Sequence, residues 1–295
     1  MSVLFSAVFP IALIALIGFS LGRALHFDTA TLARINIYGL VPALILQSWL
    51  KLTLAWSDAI AFLSAFALNM VLLYGVVLGI SHLLQLPPER RKSLITITLF
   101  ANAGNIGLPF NLFALGDPGL ERAGLYLVGS SIMTSTIFPV LLKGAGLKAG
   151  VNTSVRLPVF WAALVGISFQ VSNYPLPDGI GRAVTLLAGG AIPVALLMLG
   201  IQLSRTEWGF GRDELLGVFL RLVVSPLSAN FIGRGLGLTG LDLQVLTLQS
   251  AMPVAVNALI WVTELGGDRT QVSRTVVLST LLSFVSLPLV LWLSR

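Results

Sequence analysis

Leu99-Phe100-Ala101-Asn102-Ala103-Gly104-Asn105-Ile106-Gly107-Leu108-Pro109 puts two amides, two glycines and a proline inside an otherwise apolar run. Glycine weakens a helix because it has the most backbone freedom to lose, and proline lacks the N–H that a helix needs. Asparagine is costly in hydrocarbon unless it is paired or lines a polar cavity. Such a segment predicts a helix broken deep inside an apolar layer. The freed N–H and C=O groups must then face protein or a water-filled site, because lipid satisfies neither. Further along, Gln249-Ser250-Ala251-Met252-Pro253-Val254-Ala255-Val256-Asn257 repeats the pattern, with a proline between flanking amides.

The layer around these stretches is a bilayer. Of 295 residues, 56% are hydrophobic and 10% charged, with a mean hydropathy of +0.93. A soluble domain carries about 25% charged residues and has no core large enough to hide this much apolar side chain. A cytosolic enzyme, a secreted module and a disordered chain are excluded. There is no cysteine, hence no disulfide or thiolate chemistry, and the two histidines, His26 and His82, are too few for a multi-histidine metal centre. No metal or cofactor is expected, and the net charge of +6 points to loop placement rather than to nucleic acid.

A spanning helix needs roughly 20 mostly apolar residues. Ten candidates fit: 3–22, 33–50, 57–84, 92–115, 121–143, 156–173, 180–203, 213–236, 241–264 and 271–293. Charges, prolines and glycines collect in the joints, as in Pro87-Pro88-Glu89-Arg90-Arg91-Lys92 and Gly116-Asp117-Pro118-Gly119. The first span has no Lys or Arg before it, so it reads as a retained helix rather than a signal peptide. Counting alternate loops, Lys51, Arg122, Arg182, Arg234 and Arg295 fall on one side. Arg23, Arg34, Arg90, Arg91, Lys92, Lys143, Lys148, Arg156, Arg205, Arg212, Arg269 and Arg274 fall on the other. The richer side is expected in the cytoplasm and both termini outside, with the chain multi-pass in the plasma membrane, a bacterial inner membrane.

The halves resemble each other. Phe9-Pro10-Ile11-Ala12 aligns with Leu157-Pro158-Val159-Phe160 at an offset of 148, Leu40-Val41-Pro42-Ala43-Leu44 with Ala191-Ile192-Pro193-Val194-Ala195 at 151, and Phe138-Pro139-Val140-Leu141-Leu142 with Leu287-Pro288-Leu289-Val290-Leu291 at 149. The expected all-α membrane fold is therefore ten helices in two repeats, 1–143 and 156–295, joined by a cytoplasmic linker, 144–155. Five spans per repeat is an odd number, so the second enters the membrane inverted, which is the arrangement of secondary transporters with a midplane site between repeats.

At such a site the half-helix N-termini would present positive dipole ends and free N–H donors suited to an anion. The candidate substrate-binding residues are Asn102, Gly104, Asn105, Gly107, Gln249, Pro253, Val254 and Asn257, with Ser131 and Arg221. Arg221 lies well inside a span, where it draws or neutralises an anionic substrate, or else snorkels to the interface or satisfies carbonyls near Pro226. Ser130, Ser131, Thr134, Ser135 and Thr136, matched by Ser279, Thr280 and Ser283, either line the cavity or bond back to their own helices. Gly18 and Gly189-Gly190 are read as points of close helix approach. Asn69 and Gln47 are read as hydrogen-bonded packing, and Asp58 and Glu264 as interfacial charges.

Ten spans as two inverted fives, the Asn102-to-Pro109 break, the Ala251-Met252-Pro253-to-Asn257 break and short loops together resemble the auxin efflux carrier family, the PIN-type exporters and their compact prokaryotic relatives. The resemblance covers the whole chain. It implies a fold like that of bile-acid sodium symporters, with a scaffold of spans 1, 2, 6 and 7 and a mobile core of spans 3–5 and 8–10 carrying crossed helices. It also implies a small organic anion as substrate, auxin in plants and malate or malonate in some bacteria. Ala101 stands where plant members have a proline, and the short Gly144-to-Arg156 joint replaces their long central loop, so a dicarboxylate is expected rather than auxin.

The function expected is a secondary transporter moving a small organic anion by alternating access in an elevator-like way. A sodium- or proton-coupled symporter of the bile-acid type is the alternative. A channel remains open because channels share broken helices. A membrane-embedded lipid enzyme ranks lowest, since no acidic pair lies within a span. Besides the anion and the lipid bilayer, a homodimer through the scaffold is an ordinary arrangement for such a chain.

Overall fold

The computed structural model describes residues 7–50, 54–143, 152, 154–172, 174–206 and 209–294. Most of the expected linker, 144–155, lies outside them, as do Lys51 and Arg295. The described residues form helices and no strand. In chain order these are α1 (Phe9–Ala24), α2 (Thr29–Leu50), α3 (Trp56–Leu83), α4 (Pro88–Leu99), α5 (Leu108–Lys143), α6 (Pro158–Ser172), α7 (Asp178–Ser204), α8 (Arg212–Gly235), α9 (Gly240–Ser250), α10 (Ala258–Leu265) and α11 (Arg269–Leu293). Five of them, α2, α3, α7, α8 and α11, are long and apolar enough to cross a membrane, and α1 and α6 are shorter apolar helices.

Helix ends follow local chemistry. Pro88 opens α4 at a position where its missing N–H costs nothing. Asp28 caps α2 by accepting from Ala30 N at 3.0 Å and Thr31 N at 3.4 Å. Hydrogen bonds from the Thr31 hydroxyl and from these two amides hold its carboxyl below the usual carboxylate value. Gly266 ends α10 at φ 71°, where glycine escapes the Cβ clash, and Gly116 interrupts α5 at φ 72°, ψ −165°. Two helices widen into π-turns, α2 at Asn36–Leu40 and α8 at Leu220–Val224. In both, a proline follows two residues later, Pro42 and Pro226. A proline ring clashes with the carbonyl four residues back and cannot donate to it, and one wide turn relieves that conflict.

Contacts divide the chain into two compact units, Met1–Leu54 with Gly104–Arg205 and Ala55–Ala103 with Thr206–Arg295. In the first, α1 lies on α7 so closely that a Cβ on Gly18 or Gly200 would strike the backbone of Leu197 or Ala15. Gly22 meets Ile201 and Ser204 one turn further along. Small residues at four-residue spacing let two helix backbones touch, as membrane helix pairs require. Gly189, expected to do the same, has open space around it. α2 packs on α6 with Trp49 against Gly166, and Gln47 Nε2 donates to Thr185 Oγ1 on α7 at 3.1 Å.

In the second unit, α3, α4, α8, α9, α10 and α11 enclose a polar seam. Asn69 of α3 is wholly buried and donates to the Ser225 carbonyl at 3.4 Å, while Ser228 Oγ donates to Asn69 Oδ1 at 2.5 Å. Asn230 Nδ2 reaches Thr247 Oγ1 on α9 at 3.1 Å. Ile97 of α4 fits over Gly217 of α8. Ser93 Oγ accepts the Asp268 N–H at 2.7 Å, tying α4 to the turn before α11.

Candidate functional site

Both breaks expected from the sequence are present. α4 stops at Leu99, and helical structure resumes as a π-turn at Ala103–Gly107 before α5. α9 stops at Ser250 and α10 starts at Ala258. Within the second unit the two unwound segments lie against each other as an antiparallel pair. The Asn102 N–H donates to the Pro253 carbonyl at 2.8 Å, the Ala255 N–H donates to the Phe100 carbonyl at 2.9 Å, and Ala101 faces Val254 between them. Each break thus supplies partners for the other, which answers the demand that no buried backbone group be left bare.

Other freed groups go to side chains. The Val254 N–H donates to Ser279 Oγ on α11 at 3.1 Å. Arg221, on the π-turn of α8, is fully buried. Its Nε donates to the Met252 carbonyl at 2.9 Å, its Nη1 to the Thr98 carbonyl at 2.7 Å and its Nη2 to the Ser250 carbonyl. Ser225 Oγ donates to the same Ser250 carbonyl at 2.9 Å. Every guanidinium nitrogen therefore meets a backbone carbonyl at the C-terminal end of α4 or α9. The guanidinium thus satisfies carbonyls of Thr98, Ser250 and Met252, in other segments than the one around Pro226.

Asn102, Gln249, Pro253 and Val254 are buried beside this pairing. Asn257, the residue before α10, is exposed and makes no side-chain cap bond. The first N–H groups of α10 fold back on their own chain, Ala258 to Ala255, Leu259 to Val256 and Ile260 to Asn257. The free donors expected there are taken up in a tight first turn, and what α10 presents is its dipole and the Asn257 carboxamide. Phe100 packs on Trp261 of α10 with ring centroids 5.9 Å apart. Gly104, Asn105, Gly107 and Ser131 belong to the first unit, where Asn111 Nδ2 donates to the Gly107 carbonyl at 2.8 Å.

Most of the hydroxyls bond back to their own helices: Ser130 to Leu127, Thr134 to Ser130, Ser135 to Ser131 and Ser283 to Thr280. The Thr98 carbonyl is the element that sequence reasoning missed. No side-chain signal marks it, because every residue carries a carbonyl and only the end of α4 frees this one.

A family model described as membrane transport protein matches residues 147–291. An "Uncharacterized transporter" of Methanothermobacter thermautotrophicus is 30% identical over 267 residues, covering 89% of this chain and 88% of that one. The chain belongs to the auxin efflux carrier type of membrane transport family. It is a membrane protein of a transporter family. Within the family it is also similar to the transporter YfdV of Escherichia coli K12, 25% identical over 65% of this chain and 66% of that one. A protein of Rhizobium meliloti bearing the name "Putative malonate transporter" is 22% identical over 66% of this chain and 65% of its own length.

Proposed function

We propose that the chain is a secondary carrier for a small dicarboxylate, malonate or malate in class, working by alternating access. The observation that carries this reading is the antiparallel pairing of two interrupted helices, 100–102 with 253–255, next to an exposed, uncapped Asn257 at the start of α10. Interrupted helices are stable in a bilayer only around protein or a polar cavity. The N-terminal end of a half-helix favours negative charge, and a neutral carboxamide binds a carboxylate without holding it too tightly for release. The family's malonate-named member supports the substrate class.

In this reading Asn102, Gln249, Pro253, Val254 and Asn257 of the second unit form the wall of the anion site, and Gly104, Asn105, Gly107 and Ser131 of the first unit are kept as substrate-contacting residues on the strength of the sequence alone. Arg221 acts on the anion only through its charge, since its nitrogens are engaged with carbonyls. The halves are read as inverted repeats, and the division into a scaffold of spans 1, 2, 6 and 7 and a moving core belongs to the same proposal. So does the orientation, with the Lys/Arg-rich loops in the cytoplasm.

Counterflow in proteoliposomes tests it. Labelled malonate or malate should exchange with saturation, indole acetate much less, and Asn257→Ala should lower apparent affinity about tenfold, the loss of one charge-assisted hydrogen bond. Absence of exchange for every organic anion overturns the substrate class, and conductance far above carrier turnover overturns the carrier.

A further inference from the structure

We propose that Arg221 is the resident cation of the helix crossover: its guanidinium fills a cage of neutral oxygens that, without it, would hold a small monovalent metal ion, and it clamps the carboxyl ends of α4 and α9 together. The inference concerns how the crossover is held and stands apart from the choice of substrate.

Two helix C-termini meet here. Each carries partial negative charge on carbonyls with no helical partner, so bringing Thr98 near Ser250 and Met252 is unfavourable unless a positive group lies between them. Arg221 supplies it with no measurable exposure, one nitrogen to each of the three carbonyls. The same two helix ends offer more oxygen. Thr98 Oγ1 and Ser250 Oγ are buried without a hydrogen-bond partner, and Ser225 Oγ already donates to the Ser250 carbonyl. Carbonyl and hydroxyl oxygens are hard, neutral donors, the set that takes an alkali-metal ion, and unwound backbone at half-helix C-termini is where membrane carriers coordinate one.

A planar fork suits the task better than an ammonium would. The three carbonyls come from two chain segments in different directions, and a guanidinium addresses them with fixed, divergent N–H groups, whereas a lysine offers one point charge. The π-turn at Leu220–Val224, forced by Pro226, is the element that carries Arg221. Position, charge and donor geometry therefore coincide in one side chain, and the clamp is permanent instead of ion-dependent.

The test uses the full-length chain in detergent, with thermal unfolding followed by its tryptophan fluorescence in matched choline, sodium, potassium and guanidinium chlorides at low ionic strength. Wild type should unfold at one midpoint in choline and in sodium. Arg221→Ala should unfold several degrees lower in choline and recover part of that loss in sodium or in dilute guanidinium, the ions that refill the cage. A merely structural cavity has no reason to prefer sodium over choline. Arg221→Ala as stable as wild type, no cation distinguished from choline, or wild type stabilised by sodium as strongly as the variant would each overturn the proposal. Should Arg221→Ala fail to accumulate, Arg221→Lys replaces it with amide hydrogen exchange as readout. Faster exchange at Asn102 and Ala255 in the lysine variant supports the clamp, and exchange as slow as wild type overturns it.

Discussion

Ser279 stands on α11 facing the second break, and its hydroxyl is the acceptor for the Val254 N–H. Replacing it by alanine leaves a buried donor bare, which costs about 1–3 kcal/mol, so Ser279→Ala should lower the unfolding midpoint clearly. Ser283→Ala, one turn on, should do less, because Ser283 only adds a second bond to the Thr280 carbonyl. Thermal unfolding of the two variants side by side checks this; equal losses would contradict the assigned acceptor. Asp28 makes a pH prediction. Its carboxyl is held below the usual carboxylate range by the Thr31 hydroxyl and the Thr31 and Ala30 amides. A depressed carboxylate stabilises above its unfolded pKa, and that contribution fades as pH falls through the lower folded value. Amide exchange at Ala30 and Thr31 should therefore stay slow down to about pH 4 and speed up, relative to the intrinsic rate, only in stronger acid. Asp28→Asn, which still accepts, should remove the pH dependence while keeping most of the protection.

Elements obey the same accounting of backbone groups. The amides of Asn102 and Ala255 lie in no helix, yet each bonds across to the opposite break. The pair Ala101–Val254 is flanked by those bonds rather than joined by them, which places the two Cα atoms about 4.5 Å apart, within disulfide range. Because the chain has no native cysteine, Ala101→Cys with Val254→Cys should crosslink on mild oxidation, seen as loss of maleimide labelling, and under the proposed carrier mechanism, in which both segments belong to one core, exchange in proteoliposomes should persist. Efficient crosslinking with complete loss of exchange would show instead that the breaks part during transport. In the first unit the α1–α7 contact is the sensitive one. Gly200→Val drives a branched side chain into the Ala15 backbone, an overpacking of about 1–3 kcal/mol or more, whereas Gly189→Ala, with open space around it, should be silent in the same unfolding assay.

Across the whole molecule, charge placement sets the expected orientation. Arg212 and Tyr174 are both exposed and fall on opposite sides by loop counting. Single cysteines there should react with an impermeant maleimide from opposite faces of the membrane, Arg212→Cys from the cytoplasm and Tyr174→Cys from outside. Labelling of both from one face would overturn the ten-span arrangement. Separation into two contact units, with the dividing line inside the first break at 103 and 104, is a property of the folded chain that no single segment announces.

The sequence by itself determined the apolar class of the chain, its helical character and the two interruptions, and it carried the resemblance to the family. The first three follow from local chemistry, from what an apolar run, a proline or a glycine does to its own few neighbours. Its amides marked the right segments for the same reason. Only the tertiary structure decided where the freed groups go: that Asn102 and Ala255 pair across the breaks, that Ser279 receives Val254, and that Arg221 turns inward to three carbonyls instead of outward to the interface. Backbone carbonyls look alike in every residue, and which side chain reaches a freed one is settled by segments distant in the chain meeting in space, 25 residues apart for Val254 and Ser279 and 123 for Arg221 and Thr98.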